Sequence, residues 1–381
     1  MQYFVILFSL QLIFLFLFAS SIHADEPRFY IPDAPPIDAS SYALMDHNSK
    51  SMLAANNENQ RRSPASLTKI MTSYVIFKRL KEEFITLDDE VKISEKAWRT
   101  GGSRSFIEVG KIIRLEDLLK GMIIQSGNDA SVALAEHVAG SEGTFVLFMN
   151  DYAQQLGMTN SRFENSSGLP HEEQYTTAKD MAILSSAMIE EFPEFYKWYS
   201  EKEFTYNNIT QTNRNKLLFT DSTVDGLKTG WTQMAGYCLV TSANRVGMRL
   251  ITVVMGSASP AARTTETEKL LDYGFRFFET QSVNDISHQV PVYKSKKANI
   301  KVGVAESSYL TLPRNQFKYT TQTINLSGDL IAPITKGDEV GTLAISFNNK
   351  NIATLPLIAL DNAIEGGFLT KMVDTVKLLF R

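Results

Sequence analysis

Three short stretches carry residue types that can do nucleophilic chemistry once they are brought together. The first is Ser66-Leu67-Thr68-Lys69. Residues three apart on a helix share a face, so the Lys69 amine can reach the Ser66 hydroxyl. Serine attacks carbonyls poorly until its proton is removed, and a neutral lysine can remove it. Neutrality is costly: moving a lysine pKa from about 10.4 to near 7 takes roughly 4–5 kcal/mol of bias against the charged form. Burial supplies part of that bias, and a neighbouring cation supplies more. The second stretch, Ser126-Gly127-Asn128, would present a hydroxyl and an amide from a loop between helical segments. The third, Lys228-Thr229-Gly230, offers a carboxylate a charge and a hydroxyl, and its glycine lets a substrate backbone come close. Lys228 is also the candidate for the cation that Lys69 needs. Singly, each stretch is weak. Roughly two S-x-x-K matches arise by chance in such a chain; S-G-N also reads as a helix C-cap followed by an N-cap; K-T-G is more often an ordinary turn.

A scaffold must hold these groups. Ser63-Pro64 reads as an N-cap followed by a proline in the first helical position, opening a helix over 65–81 whose N-terminal dipole favours developing negative charge at Ser66. Further helices are expected over 115–124, 129–138, 143–156, 178–190 and 263–278. Strand signals lie at both ends of this region, over 42–46 and 51–54 around His47-Asn48-Ser49-Lys50, and over 235–243 and 248–255 around Asn244-Arg245-Val246-Gly247. Strands first and last with helices between predict an α+β fold, an antiparallel sheet flanked by helices. From about 280 to 362 helical periodicity gives way to short β-rich runs (298–304, 317–324, 339–347) separated by turn residues, which predicts a small all-β domain. The expected organisation is a leader over 1–24, a catalytic domain over 25–277, the β domain over 278–362 and a terminal helix over 363–381.

The two ends differ from the rest. Residues 5–18 are apolar apart from Ser9 and Gln11, too short a run to span a bilayer, and small residues followed by Asp25-Glu26-Pro27 give the layout of a secretory signal peptide cut after Ala24. The layout is irregular in having no Lys or Arg near Met1 and a large Ile22 near the cut; an uncleaved anchor is the alternative, and either one exports the remainder. At the other end Phe368, Leu369, Met372, Val373, Val376, Leu379 and Phe380 recur at helical spacing, with Lys371, Asp374, Lys377 and Arg381 on the opposite side. That pattern fits a helix docked on its own protein and an interfacial membrane anchor equally.

The order S-x-x-K, S-G-N, K-T-G resembles the penicillin-recognising serine enzymes, whose middle motif is often S-D-N. Pro64-Ala65-Ser66-Leu67-Thr68-Lys69-Ile70-Met71, Gln125-Ser126-Gly127-Asn128-Asp129-Ala130, Val224-Asp225-Gly226-Leu227-Lys228-Thr229-Gly230 and Glu268-Lys269-Leu270-Leu271-Asp272-Tyr273-Gly274-Phe275 resemble the low-molecular-mass penicillin-binding proteins, the D-alanyl-D-alanine carboxypeptidases. The resemblance covers the whole chain. It implies a penicillin-binding, β-lactamase-like transpeptidase fold in the catalytic domain. It implies Ser66 as acylated nucleophile, Lys69 as general base and Ser126 as proton relay to the departing D-alanine. Asn128 would hold the peptide carbonyl, Lys228, Thr229 and Arg263 would engage the terminal carboxylate, and the backbone N–H groups of Ser66 and Trp231 would form the oxyanion hole beside Gly230. Trp231 stands where the family often has histidine, which bears on preference and rate. The implied partners are the peptidoglycan stem pentapeptide and β-lactam antibiotics, without metal or organic cofactor. The implied location is the periplasm, with residues 364–381 attached peripherally to the outer face of the cytoplasmic membrane.

The rivals are a β-lactamase or esterase of the same superfamily and a non-catalytic peptidoglycan-binding scaffold. The E-x-x-L-N segment of class A β-lactamases is missing, its nearest candidate being Glu164-Asn165-Ser166-Ser167, so water activation falls to Lys69 and its neighbours, assisted by a glycine-bearing loop over 99–105 with the composition of a mobile segment. The intact Ser66, Lys69 and Ser126 speak against a pure binder. Composition agrees with catalysis by hydroxyls, amines and amides. Across 381 residues the net charge is −4, which leaves no general footprint for nucleic acid. The single Cys238 excludes intramolecular disulfides and multi-cysteine zinc sites, and five scattered histidines argue against a metal cage.

Overall fold

The computed structural model describes residues 31–283, 286–304, 308–347 and 349–380. The expected leader and its cleavage site at Ala24 lie outside the described residues, as does Arg381. Strand β1 (Ser41–Asp46) turns through residues 47–50 into β2 (Met52–Asn56), and after a long helical stretch β3 (Val224–Thr232), β4 (Gly236–Arg245) and β5 (Met248–Ser257) complete one antiparallel sheet in the order β2-β1-β5-β4-β3. Successive residues of a strand face opposite sides. Ala43, Met45, Val240, Ile251, Val253 and Met255 accordingly face the helical layer, while Tyr42, Leu44, Leu239, Leu250 and Val254 pack beneath the helix that follows the sheet.

The helical layer consists of α1 (Thr68–Lys81), α2 (Leu115–Ile124), α3 (Asn128–Ala139), α4 (Glu142–Gln155) and α5 (Ala178–Glu191), and α6 (Pro260–Phe277) covers the other face. Every residue of α1 from Thr68 to Phe77 is buried, as befits a central helix enclosed on all sides. The helices expected over 65–278 appear with ends displaced by at most three residues, while the one expected over 363–381 begins only at Phe368. The start of the first one differs in kind. Ser63 makes no cap; Ala65–Leu67 form a 3₁₀ turn with Ala65 at φ +48°, and the α-helix proper begins at Thr68. The backbones of Gly168 and Gly230 press on this turn: a Cβ at Gly168 would lie 1.8 Å from the Ala65 carbonyl oxygen. The Lys228-Thr229-Gly230 stretch also differs from expectation. It lies within edge strand β3, whose Gly, Asp and Lys content hides the strand signal.

Beyond α6 the chain forms β6 (Phe278–Ser282), β7 (Ser287–Pro291), β8 (Asn299–Val304), β9 (Tyr309–Pro313), β10 (Thr321–Leu326), β11 (Glu339–Phe347) and β12 (Lys350–Ala359). Five of these make a sheet ordered β7-β8-β12-β11-β10 with its own apolar core. The run expected as a strand over 317–324 splits into a 3₁₀ turn, Phe317–Tyr319, and β10. The β6–β9 ribbon ties this region to the first: Thr280 donates to Asp46 at 2.7 Å, and the Arg314 guanidinium donates to the Phe275 carbonyl at 2.7 Å. Helix α7 (Phe368–Leu379) ends the described chain.

Candidate active site

Ser66 sits in the 3₁₀ turn and Lys69 in the first turn of α1, with the Lys69 Nζ 3.2 Å from the Ser66 Oγ. Lys69 is 1% exposed, and its amine donates also to Asn128 Oδ1 at 2.6 Å and to the Ser167 carbonyl at 2.5 Å. Burial, helped by the charge of Arg214 and opposed by that of Asp129, holds its pKa down at about 7. The energetic requirement for a general base is thus met. Arg214 supplies an assisting charge that the sequence did not point to, and Lys228, to which it did, interacts electrostatically with Lys69 as well.

The second motif closes the other side. Ser126 adopts φ +70°, an uncommon conformation for a residue with a side chain, and its buried hydroxyl has no hydrogen-bond partner among the described residues. A buried hydroxyl left unpaired beside a reactive pair is available for proton transfer. Gly127 has no room for a side chain, because a Cβ there would meet Ser105 Oγ at 2.0 Å. Asn128 opens α3; its Nδ2 donates to the Gly101 carbonyl at 2.7 Å, which leaves one of its two amide hydrogens for a peptide carbonyl. The loop over 99–105 is joined to this motif: Ser105 N donates to the Asp129 carboxylate at 2.8 Å, and Asn128 N to the Ser103 carbonyl at 2.8 Å.

Strand β3 supplies the third side. Thr229, Gly230 and Trp231 line the cleft, and Arg263 of α6 reaches it while donating to the Gly230 carbonyl at 3.2 Å. At Gly230 the close approach is made by the protein itself: a Cβ there would lie 3.2 Å from Ala65 Cβ. Lys228, the residue before Thr229, is almost fully buried. Its amine donates to the Thr229 carbonyl at 3.1 Å and is pressed well below the ordinary lysine range by burial first and then by the charges of Lys69, Arg214 and Arg263.

The result is a cleft of about 700 Å³ with Ser66 and Ser126 on its wall and Arg214 and Arg263 as its cations. Two components were not visible in the sequence. Arg214 belongs to no motif. The Ser166-Ser167-Gly168 turn, dismissed as a failed match to a β-lactamase segment, carries the carbonyl that holds Lys69. This turn is built locally, since Asn165 Oδ1 accepts from Gly168 N at 2.7 Å and Leu169 N at 3.1 Å, and it is braced by Glu142, whose Oε1 accepts from Ser166 N at 3.0 Å and Ser166 Oγ at 2.7 Å.

Residues 29–259 match the family model described as D-alanyl-D-alanine carboxypeptidase. The chain belongs to that family. Residues 275–365 match a second model, the penicillin-binding protein 5 C-terminal domain, which corresponds to the β-rich region. Among D-alanyl-D-alanine carboxypeptidases, DacC of Escherichia coli K12 is 44% identical over 380 residues, covering 96% of this chain and 94% of that protein. The crystal structure of penicillin-binding protein 5 from Haemophilus influenzae superposes with a TM-score of 0.83 at 41% identity, covering 88% of this chain and 100% of that one. Penicillin-binding protein D2 from Listeria monocytogenes, solved in its ampicillin-bound form, is 28% identical with a TM-score of 0.59 over 64% of this chain and 100% of that one. A D-alanyl-D-alanine carboxypeptidase of this family is a serine peptidase of the low-molecular-mass penicillin-binding class, and the α+β fold with its trailing β region agrees with the expectation drawn from the motifs.

Proposed function

We propose that this protein is a serine D-Ala-D-Ala carboxypeptidase that removes the terminal D-alanine from peptidoglycan pentapeptide stems through an acyl-enzyme. The observation that carries this reading is the buried Lys69 amine, with a pKa of about 7, within 3.2 Å of the Ser66 hydroxyl in a cleft with two cations. Lys69 takes the Ser66 proton, Ser66 Oγ forms an ester with the penultimate D-alanine carbonyl, and the N–H groups of Ser66 and Trp231 hold the oxyanion. Ser126 passes a proton to the departing amine, and water then hydrolyses the ester with Lys69 as base. Asn128 positions Lys69 and offers its remaining hydrogen to the peptide. Thr229, Arg214 and Arg263 meet the terminal carboxylate directly. Lys228 acts from behind: an anion bound in front of it favours its charged form.

β-Lactams are expected to acylate the same serine, in keeping with the ampicillin-bound Listeria relative. The domain limits proposed are a leader over 1–24, a catalytic domain over 25–277, a β domain over 278–362 and an anchoring helix over 363–381, in a protein exported to the periplasm. No helix among the described residues is long and apolar enough to cross a membrane; the peripheral attachment proposed through α7 is supported by the exposed apolar side chains of that helix. Incubating the purified protein with a pentapeptide ending in D-Ala-D-Ala and assaying free D-alanine tests the reaction. Release that is lost in Ser66→Ala supports it, and absence of release from the intact protein overturns it.

A further inference from the structure

The wall of the cleft formed by β3 and α6 changes character along its length. Thr229 and Trp231 share one face of β3, because alternate residues of a strand point the same way. Trp231 is paired across the sheet with Tyr237, their rings 5.8 Å apart and tilted by 35°. The Arg263 guanidinium lies 5.7 Å from the centre of the Tyr237 ring. Pro260 lines the same side. A hydroxyl and a cation, suited to a carboxylate, therefore run directly into an apolar shelf of Trp231, Tyr237 and Pro260.

The shelf is left uncovered. Trp231 is 56% exposed in a cleft whose opposite wall carries Ser66, Ser126 and Asn128. The residue whose carboxylate meets Thr229 and Arg263 is the one that leaves, so its side chain is the substrate group nearest the shelf. The methyl of D-alanine is too small to cover an indole. A large apolar side chain would cover it.

We infer that Trp231 sets the preference for the departing residue and extends it to large apolar D-amino acids, so that stems ending in D-Ala-D-Phe or D-Ala-D-Met are substrates alongside D-Ala-D-Ala. The inference rests on the carboxypeptidase reading above and specifies its leaving-group subsite. The chemistry is unchanged: Ser66 Oγ bonds to the penultimate carbonyl carbon, the C–N bond breaks, and the amine takes a proton and departs as the free D-amino acid. Water then frees Ser66. The substrate would be supplied by a class of reaction that installs D-amino acids other than alanine at the stem terminus, by exchange or by ligation.

The test uses the full chain with two peptides, diacetyl-L-lysyl-D-alanyl-D-alanine and its analogue ending in D-phenylalanine, and measures kcat/KM from the amino acid released. The intact enzyme should cleave the D-phenylalanine peptide with kcat/KM within about threefold of the D-alanine peptide, since an apolar subsite gains from added hydrocarbon. In Trp231→Ala the ratio of the two kcat/KM values, D-phenylalanine over D-alanine, should fall roughly tenfold, mostly through KM. Trp231→His should fall in the same direction. Labelling of Ser66 by a fluorescent penicillin reports whether each variant is folded. If a variant is not labelled, the intact enzyme's own ratio decides, and a D-phenylalanine peptide cleaved at under a hundredth of the D-alanine rate overturns the inference. A ratio unmoved by substitution of Trp231 overturns it as well. If neither peptide is cleaved by labelled, intact protein, it is the carboxypeptidase reading that falls.

Discussion

Lys69 donates to three acceptors and feels the charge of Arg214, and its protonation decides whether Ser66 can attack. The amine must be neutral to accept a proton, so acylation should rise as pH climbs through about 7 and fall on the acid side as Lys69 becomes charged. Stopped-flow acylation by penicillin across pH 5–9 checks this, and a rate flat over that range would show that Lys69 is not the base. Arg214 helps to keep the amine neutral. Removing that charge in Arg214→Gln should move the acid limb to higher pH, so that the variant loses more at pH 6.5 than at pH 9. A purely structural role for Arg214 would scale the whole profile and leave its shape alone. The two lysines should also separate. Lys69→Arg should remove nearly all acylation, because a guanidinium stays protonated. Lys228→Arg keeps a cation behind Thr229 and should retain more. Equal losses in the two variants would remove the distinction between base and anchor.

At the level of elements, the Glu164–Leu169 segment is the part that sequence reasoning lost. Its function lies in a backbone carbonyl, and a carbonyl has no residue signature. Ser167 holds Lys69 only because Asn165 folds the turn, Glu142 at the start of α4 grips Ser166, and the Thr72 hydroxyl donates to the Ser166 carbonyl at 2.6 Å. These residues come from parts of the chain far apart in sequence, which periodicity cannot connect. By contrast α2, α3 and α5 were legible, since each has a strong apolar face or a clear cap; Thr177, for instance, accepts from Asp180 N. Strand β3 was not, because its chemistry required Lys, Thr and Gly where a strand would favour β-branched residues. The motifs showed which groups meet; the distances among them came from the tertiary structure. Glu142→Gln tests the brace. The amide oxygen can still accept from Ser166 N and Oγ, but the charge is lost and a donor replaces the oxygen facing Lys96 at 2.7 Å. Penicillin acylation should fall about tenfold, equivalent to roughly 1.4 kcal/mol, with a shift in the pH profile because Lys69 loses part of its setting. Unchanged kinetics would show that the turn holds itself.

For the whole molecule, the question is what α7 does at the far end from the chemistry. Its apolar residues Phe368, Leu369, Met372, Val373, Val376, Leu379 and Phe380 are 49–86% exposed, and none of them joins the core of the β region. The helix is held by its polar side. Asp374 is buried and accepts from Lys294 N at 2.6 Å, which turns the apolar face outward. This bears on how the helix would bind a bilayer. A free Lys371 or Lys377 would contribute about 1 kcal/mol at an anionic surface. In the structure Lys371 pairs with Glu365 at 2.6 Å and Lys377 with Asp374 at 3.0 Å, so much of that attraction is already cancelled. Attachment should rest on the seven apolar side chains, whose partial burial contributes several kcal/mol. It should therefore survive 0.5 M salt, which screens charges beyond a few ångströms but leaves apolar burial intact. Vesicle sedimentation at low and high salt measures this, and release by salt alone would mean that charge carries the binding. Truncation after Gly366 should give a protein that stays in the supernatant and is still acylated by penicillin, because the proposed catalytic residues precede Thr264 and the β core loses no apolar member. Paired aspartates at Phe368 and Met372 should release the full-length protein in the same way. If the truncated protein still sediments with vesicles, or loses its cooperative thermal transition, α7 is a packed part of the fold and the membrane is held elsewhere.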